Sequence, residues 1–208
     1  MTIKKPKILL IGGGGHCKAC IDVIEQDGRF EIAGIVERLD YRQSDNILGY
    51  PISGTDEGLP ALKNKYEHAL VTVGQIKTPE TRIRLYERLL AIGFELPVLV
   101  SPLAYVSPHA QIGYGTIVMH HALVNAGARV GRNCIINTKA LIEHDAVVED
   151  HCHIATGGII NGETIVQSES FVGSNAICRE RITVGKGAVV GGGVMVMHNI
   201  HAQSTVRP

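Results

Sequence analysis

The 208-residue sequence has no tryptophan, only 4% aromatic residues and no excess of charge, because 20 Lys and Arg residues balance 20 Asp and Glu residues. A balanced chain lacks the electrostatic footprint of proteins that bind nucleic acid or anionic membranes. No segment is apolar over the ~18 residues that a transmembrane helix needs, and the first residues lead into a strand rather than a signal-peptide core. We therefore expect a cytoplasmic protein that acts on a small molecule.

An aliphatic residue recurs at every sixth position over the second half of the chain, and fifteen of these sixteen residues are Val or Ile. A small residue stands two positions earlier in fourteen cases. This period fits neither a helix nor an alternating strand, so it predicts a solenoid of short strands and turns with Val and Ile inside. Three strands would make a triangular coil of about 18 residues, which gives roughly five coils. The series is Val106, Ile112, Val118, Val124, Val130, Ile136, Ile142, Val148, Ile154, Ile160, Val166, Val172, Cys178, Val184, Val190 and Val196.

The five cysteines form an odd set that favours neither disulfides nor a metal. Cys134, Cys152 and Cys178 occupy small or inward positions of the repeat, which indicates packing. Cys17 and Cys20 form a CKAC pair, but the second pair of a zinc site is missing. We expect no metal cofactor.

The first hundred residues alternate between strand and helix patterns. Lys7 to Ile11, Glu31 to Val36 and His68 to Val73 have the composition of buried strands, whereas Lys18 to Gln26 and Glu80 to Ile92 have apolar residues at helical spacing. This alternation predicts a small parallel α/β domain of Rossmann-like type. We expect this domain to comprise residues 1–101 and the solenoid to comprise residues 102–208.

Glycines 12 to 15 follow the first strand and open the first helix, where main-chain N–H groups can hold a phosphate. The dinucleotide fingerprint is incomplete, because Cys17 takes the place of its third glycine, although Glu37 provides the acidic residue further on. A domain of about 100 residues is also too small for both halves of a dinucleotide site. The pattern favours a nucleotide-diphosphate sugar, and a purely structural turn is the alternative.

Three features together resemble a known family: the motif IGGGGHCK, the hexad repeat, and the run IINTKALIEHDAVVEDHCHIATGGIINGE followed by FVGS. They are similar to the sugar acetyltransferases that include sialic acid O-acetyltransferases and the N-acetyltransferases of bacillosamine-type UDP-4-amino sugars. The resemblance covers nearly the whole chain. It implies that the solenoid is a left-handed parallel β-helix, that acetyl-CoA is the co-substrate, and that the protein is a homotrimer.

The resemblance also implies roles for five residues of the β-helix. His144 would be the general base that takes a proton from the sugar amine or hydroxyl, and Asp145 would orient its imidazole. His153 would contact the acceptor group or the acetyl carbonyl. Asn137 would hold the substrate or the base, and the main-chain N–H of Gly162 would face the thioester oxygen.

Further residues are implied to bind the two substrates. The family's counterpart of His16 lines the sugar or phosphate end of the acceptor, while Glu37 and Arg38 fall where the base or ribose is contacted. Cys17 replaces a family glycine, so it is an open question whether the main chain can approach a diphosphate closely. In the glycine loop, the residues implied to bind the acceptor are Gly12 and Gly14. The residues implied to bind coenzyme A are Gly162, Gly173, Arg179, Arg181 and Lys186, with His153 near the acetyl group.

The scaffold has two alternative functions besides acetyl transfer. A zinc enzyme of the carbonic anhydrase type shares the scaffold, but it needs two histidines five residues apart, and no pair in this chain has that spacing. A non-catalytic scaffold would not explain the run from Asn137 to Gly162. We expect an acetyltransferase of bacterial surface-glycan biosynthesis that N-acetylates a UDP-4-amino-dideoxy sugar, with O-acetylation of sialic acid or a related nonulosonic acid as the alternative.

Overall fold

The computed structural model describes residues 5–41, 44–76 and 78–208, which form an α/β unit followed by a long parallel solenoid. The α/β unit has one sheet with the strand order β3-β4-β2-β1-β5, in which all neighbours are parallel except β3 and β4. Its elements are β1 (Lys7–Ile11), α1 (Gly15–Asp27), β2 (Glu31–Val36), β3 (Asn46–Ile47), β4 (Tyr50–Gly54), α2 (Leu59–Lys63), β5 (His68–Val71) and α3 (Glu80–Ile92).

The central strand β1 is apolar on both sides because helices cover both faces of the sheet. Ile8 and Leu10 pack in one cluster with residues of α1, whereas Leu9 and Ile11 pack in another with residues of α3. The glycine loop joins β1 to α1 at the carboxyl edge of the sheet, where α/β proteins of this kind bind their ligands. The predicted strand and helix alternation is therefore confirmed.

The solenoid is a triangular coil of two-residue strands that form three parallel sheets, here called the first, second and third faces. Each strand pairs with its counterpart in the next coil, as Leu123 pairs with Leu141, which confirms three hexads per coil. The strands are 99–100, 117–118, 135–136, 153–154, 171–172, 189–190 and 205–206 in the first face, 105–106, 123–124, 141–142, 159–160, 177–178 and 195–196 in the second, and 111–112, 129–130, 147–148, 165–166 and 183–184 in the third.

The inside of the coil is filled as the repeat predicts. The Val and Ile residues of the hexads, from Val118 to Val196, form one buried cluster together with small residues such as Ala140 and Ala146. All five cysteines are free and buried, and Cys134, Cys152 and Cys178 lie inside the coil. Bulky branched side chains on the flat faces and small ones before them fit a narrow triangular interior.

The α/β unit packs against the outer side of the first face. Ile21 and Ile24 of α1 share a buried cluster with Leu99, Ile117 and Ile135, whose side chains point outward from the coil. Strand 99–100 already pairs with strand 117–118, so the first solenoid strand precedes residue 102. The division at residues 101 and 102 stays a prediction about domains.

Polar contacts also join the units across this packing. The guanidinium of Arg82 in α3 is buried and donates to the carbonyl oxygens of Val71 and Val73 and, at 2.8 Å, to the side-chain oxygen of Asn133 in the coil. The Ser101 hydroxyl lies 2.7 Å from His120 Nδ1, and His120 Nε2 lies 2.7 Å from Asp22 of α1. The orientation of the two units is thereby set by directed bonds as well as by apolar burial.

Over the described residues, none of the helices combines the length and the apolar character required to cross a membrane.

Candidate active site

His144 lies at a corner of the coil, in the turn between the second-face strand 141–142 and the third-face strand 147–148. Its ring is 57% exposed, and its Nδ1 atom is 3.0 Å from the Asp145 carboxylate. Because a carboxylate only accepts hydrogen bonds when ionised, this contact places the proton on Nδ1 and leaves the Nε2 lone pair as a possible proton acceptor. The hydrogen bond to Asp145 raises the pKa of His144 above its ordinary value.

The corner geometry explains how adjacent residues can form this pair. Asp145 has a φ of 58°, a left-handed conformation that tolerates Asp, and its N–H donates to the Ala126 carbonyl of the preceding coil. Gly127 lies beneath it, and a Cβ atom there would collide with a carboxylate oxygen of Asp145. The glycine therefore leaves room for the carboxylate that orients His144.

Gly162 occupies the same corner as His144 in the next coil. A Cβ atom on Gly162 would lie 2.7 Å from His144 Nε2, so only glycine lets the imidazole lie over this position. The next residue, Glu163, donates its N–H to the His144 carbonyl and accepts a 2.8 Å contact from Arg181. The structure thus brings His144, Asp145 and Gly162 together at one corner.

His153 lies on the first face, where the α/β unit covers it, and is only 7% exposed. Its Nδ1 is 2.5 Å from the main-chain oxygen of Gln75, and its Nε2 is 3.1 Å from the amide nitrogen of Asn137. Burial lowers the pKa of His153 to about 4, an effect that the nearby Arg82 charge reinforces and the Gln75 contact opposes. His153 is therefore neutral, and both of its nitrogens have partners within the chain.

His16 lies in the first turn of α1 beside the same region. Its Nε2 is 3.4 Å from Cys20 Sγ. Burial, with smaller effects of Arg82 and His153, lowers the pKa of His16 to about 3. His16, Asn137 and His153, here called the inner cluster, thus form a neutral polar group between α1 and the first face. Within the described part of the chain, no hydrogen bond or ion pair joins the inner cluster to His144.

The glycine loop borders a cavity of about 500 Å³. Gly14 caps α1 and lines this cavity, whereas Gly12 has a φ of +107° and donates its N–H to Val36. The Glu37 carboxylate accepts a 2.6 Å bond from the Gly13 N–H. The lining residues are Gly13, Gly14, Gly15, Lys18, Glu37, Tyr41, Ser44, Asn46, Ile47, Leu48 and Ile52.

Arg38 does not line this cavity with Glu37. Its guanidinium makes a two-pronged contact with Asp40 and lies 4.9 Å from the centre of the Tyr41 ring. The Arg38 N–H instead donates to the Glu37 carboxylate. Each oxygen of Glu37 thus holds one main-chain N–H and keeps a lone pair for a ligand hydroxyl.

The expected coenzyme A cations lie on the later coils and are already paired. Arg179 contacts Glu180 at 3.1 Å, Arg181 contacts Glu163, and Lys186 contacts Glu169 at 2.9 Å. A phosphate would have to compete with these exposed carboxylates, whose pairing is weak in water. Gly173 has a packing role, because a Cβ atom there would lie 2.5 Å from the Gly192 nitrogen of the next coil.

Among the residues that the structure describes, no three His, Cys, Asp or Glu side chains are arranged to hold a metal ion.

Sequence reasoning missed Gln75 and Arg82. Gln75 follows β5 in a loop with no motif, and its importance appears only when the loop folds over the first face. Arg82 did leave a signal, since it shares the inward helical positions of Leu85, Tyr86 and Leu89. A cation at such a position must find carbonyl or amide partners when it is buried.

Comparison with known proteins agrees with this geometry. Residues 7–89 match the PglD N-terminal domain family. The acetyltransferase domain of PglB from Neisseria gonorrhoeae, solved with acetyl coenzyme A, is 34% identical over 98% of this chain and 96% of that one, with a TM-score of 0.89. A variant of perosamine N-acetyltransferase from Caulobacter crescentus, solved with CoA and GDP-perosamine, is 29% identical over 99% and 95% of the chains, with a TM-score of 0.90.

A third structure, WeeI from Acinetobacter baumannii, is 19% identical over 98% of this chain and 97% of that one, with a TM-score of 0.84, and it shows the shared fold. No curated protein sequence matches the chain significantly. Near-complete coverage by the PglB domain at this identity establishes the relationship for both units of the structure. The chain belongs to the hexapeptide-repeat sugar acetyltransferases, whose fold is a Rossmann-like α/β unit followed by a left-handed parallel β-helix.

Proposed function

We propose that the protein transfers the acetyl group of acetyl-CoA to the 4-amino group of a nucleotide-activated dideoxy sugar, in the cytoplasm, for surface-glycan biosynthesis. The observation that carries the proposal is His144, an exposed imidazole whose Nδ1 is held by Asp145 and whose Nε2 has no hydrogen-bond partner among the described residues. The relatives solved with acetyl coenzyme A and with CoA plus GDP-perosamine support both the donor and the class of acceptor.

In the proposed reaction the sugar amine attacks the thioester carbonyl, and His144 Nε2 accepts the proton that the amine loses. The C–N bond forms, the C–S bond breaks, and the leaving coenzyme A thiolate takes the proton from the His144 imidazolium, which regenerates the base. Asp145 stabilises the imidazolium that forms transiently, and the Gly162 N–H faces the oxygen on which charge develops. No acyl-enzyme is required, because holding both substrates in line supplies much of the acceleration.

The acceptor is proposed to bind to the α/β unit, residues 1–101, with its diphosphate at the Gly14 end of α1. Main-chain N–H groups and the helix dipole favour an anion there. Glu37 would accept a ribose or base hydrogen bond, with Arg38 at the rim. This cavity favours a nucleotide sugar over free sialic acid, which has no diphosphate. The expected nucleotide is UDP. A GDP sugar is the alternative, because the Caulobacter relative was solved with GDP-perosamine.

Assembly into a homotrimer is proposed from a stripe of apolar side chains along the outside of the second face. These side chains recur once in every coil and stack in register, as the pairs Leu123 with Leu141 and Ile159 with Ile177 show. A contiguous apolar stripe on a sheet surface marks an interaction site. The stripe consists of Tyr105, Leu123, Leu141, Ile159, Ile177 and Met195.

A three-fold arrangement with the second face turned inward would complete the active site. The second face is bounded by the corner after Asn137 on one side and by the corner of His144 on the other. In a cyclic trimer each corner meets the opposite corner of the next subunit. His144 of one subunit would then face the inner cluster, with Asn137 and His153, of the partner subunit, which explains why one chain keeps them apart.

Acetyl-CoA is proposed to lie in the cleft between the β-helices, residues 102–208, of neighbouring subunits. Its thioester would reach Gly162, and its phosphates would lie near the later coils. Arg179, Arg181 and Lys186 are exposed there, and exchanging a carboxylate partner for a phosphate keeps each cation paired.

Thiol release from acetyl-CoA with a UDP-4-amino-4,6-dideoxy sugar, its GDP counterpart and free sialic acid tests the function directly. We expect turnover with a nucleotide sugar only, and an amide in the product by mass spectrometry. Turnover with sialic acid alone would replace the proposal by O-acetylation. No turnover with any acceptor would contradict the acceptor class.

The pH dependence of turnover should report the His144–Asp145 pair. A general base must be neutral, so kcat is expected to rise with pH through the pKa of His144, which Asp145 holds above its ordinary value. Asp145→Asn removes the charge that favours the imidazolium, so the pKa falls and the acidic limb of the profile moves to lower pH. The kcat–pH profiles of both proteins measure this shift. An acidic limb at the same pH in both proteins would show that Asp145 does not set the pKa of the general base.

Glu37→Gln tests the acceptor pocket. The variant keeps the shape but loses a charge-assisted bond to the glycine loop, so KM for the nucleotide sugar should rise about 10-fold or more, as loss of such bonds of about 1.5–3 kcal/mol implies. KM for acetyl-CoA should stay unchanged. Glu31→Gln, at an exposed position of β2, is the matched control. Equal KM values for the sugar in all three proteins would show that the acceptor does not bind in this cavity.

A further inference from the structure

Gln75 connects the α/β unit to the coil at two points, of which one is His153 of the inner cluster. It lies in the loop between β5 and α3, at the carboxyl edge of the sheet, and is 2% exposed. Its side-chain nitrogen donates a 3.1 Å bond to the main-chain oxygen of His151, and its own main-chain oxygen is 2.5 Å from His153 Nδ1. Because His151 and His153 are close together on the coil, the two contacts fix the loop against the coil. This pair of contacts is called the clamp below.

The direction of each hydrogen bond around this clamp follows from the groups involved. A carbonyl only accepts, so His153 Nδ1 must carry the proton that it gives to Gln75. His153 is neutral, and its Nε2 is therefore an acceptor that takes a bond from the Asn137 amide nitrogen. The Asn137 side-chain oxygen in turn accepts from the Thr138 N–H at 2.8 Å. One tautomer of His153 and one orientation of Asn137 satisfy all of these bonds.

A second series of hydrogen bonds fixes the segment of the coil to which the Gln75 side chain is bonded. Arg82 can only donate, so its 2.8 Å contact makes the Asn133 side-chain oxygen the acceptor and turns the Asn133 amide nitrogen toward His151 Nδ1 at 3.0 Å. The Tyr86 ring packs edge-on against His151, with centroids 5.6 Å apart. The segment that carries the carbonyl of His151 is thereby fixed, and so is the anchor of the Gln75 side chain.

We propose that Gln75 is a positioning residue for acetyl transfer: its clamp holds His153 in the Nδ1-protonated tautomer and, through His153, aims the Asn137 amide at the reacting groups. The proposal rests on the proposed function. Asn137 has a second amide N–H beyond the one given to His153, and that N–H is the group offered to substrate. His153, with both nitrogens engaged and 7% exposure, acts through Asn137.

Gln75→Met tests the proposal, because methionine fills similar volume but cannot donate to His151. The loop loses one of its two anchors, so His153 is expected to sample both tautomers. Loss of alignment of this kind costs about 10- to 100-fold in turnover, so kcat should fall by that factor while KM for acetyl-CoA stays unchanged. Gln26→Met, in which an exposed glutamine of α1 receives the same substitution, is the control and should match wild type.

The decisive readout is the tautomer rather than the rate. Long-range ¹H–¹⁵N spectra of histidine-labelled protein, with the His153 signals assigned from a His153→Asn variant, should show a protonated Nδ1 and an unprotonated Nε2 in wild type. In Gln75→Met the two nitrogen shifts should move toward each other. Unchanged His153 shifts in the variant would overturn the proposal, as would a kcat equal to that of Gln26→Met.

The same experiment separates this inference from the proposed function. If wild type fails to acetylate any 4-amino sugar, the function is wrong, yet the ¹⁵N shifts still decide whether Gln75 sets the tautomer of His153. If wild type is active and the shifts do not respond to Gln75→Met, the function stands and the positioning role of Gln75 is wrong. Gln75→Ala provides a second variant with the same expected shifts should methionine prevent folding.

Discussion

Replacing His144 with alanine is expected to lower kcat by about 10²–10⁴, the usual contribution of a positioned general base. The imidazole is the proposed proton acceptor, and its Nε2 carries the free lone pair at the corner shared with Gly162. Since 57% of the side chain is exposed, the substitution leaves the interior of the coil intact. Affinity for acetyl-CoA, measured by calorimetry, should stay close to wild type.

His109 provides the matched control for this measurement. It is an exposed histidine on the same corner of the coil, and its carbonyl accepts from Gly127, which in turn lies beneath Asp145. His109→Ala should retain wild-type kcat. Normal turnover in His144→Ala, or equal losses in both variants, would show that His144 is not the base.

Placing a charge in the apolar stripe of the second face is expected to break the trimer. Ile159→Asp introduces a carboxylate at the centre of the proposed interface, where burying an unpaired charge is strongly unfavourable. If His144 acts against the partner subunit's inner cluster, separated subunits have no complete site. We therefore expect monomers in sedimentation velocity and a fall in kcat/KM of about 10²-fold or more.

Ile165→Asp is the matched control, because Ile165 holds the equivalent outward position on the third face of the same coil and is 38% exposed. That variant should remain assembled and active. A fully active monomer, in wild type or in Ile159→Asp, would show that one chain contains the whole site. An assembled and active Ile159→Asp would show that the second face is not the interface.

Much of the architecture follows from local pattern. The hexads place every inward Val and Ile without reference to distant residues, because each short strand repeats the same step and pairs with its counterpart in the next coil. The His144–Asp145 pair is equally local, since the two residues are adjacent and the turn brings their side chains together. The start of α1 is local too, since Gly14 is its N-cap residue and Gly15 its first residue.

Other features depend on how the two units pack, and no short motif encodes them. Gln75 reaches His153 and Arg82 reaches Asn133 from distant parts of the chain, because α1 and α3 dock on the first face. The same docking buries His16 and His153 and lowers their pKa values, although on sequence alone they resemble His144. Pairing of Arg179 and Lys186 with nearby carboxylates is likewise a property of the folded surface.

The sequence by itself thus determined the repeat and the α/β unit, because periodicity is a property of neighbouring residues, and its resemblance to a family pointed to His144 as the candidate base. Only the tertiary structure decided that His144 is exposed while His16 and His153 have lowered pKa values, since burial and hydrogen-bond partners arise from residues far apart in the chain. It also placed His144 and the inner cluster in separate parts of one subunit, because they stand at different positions around a triangular coil.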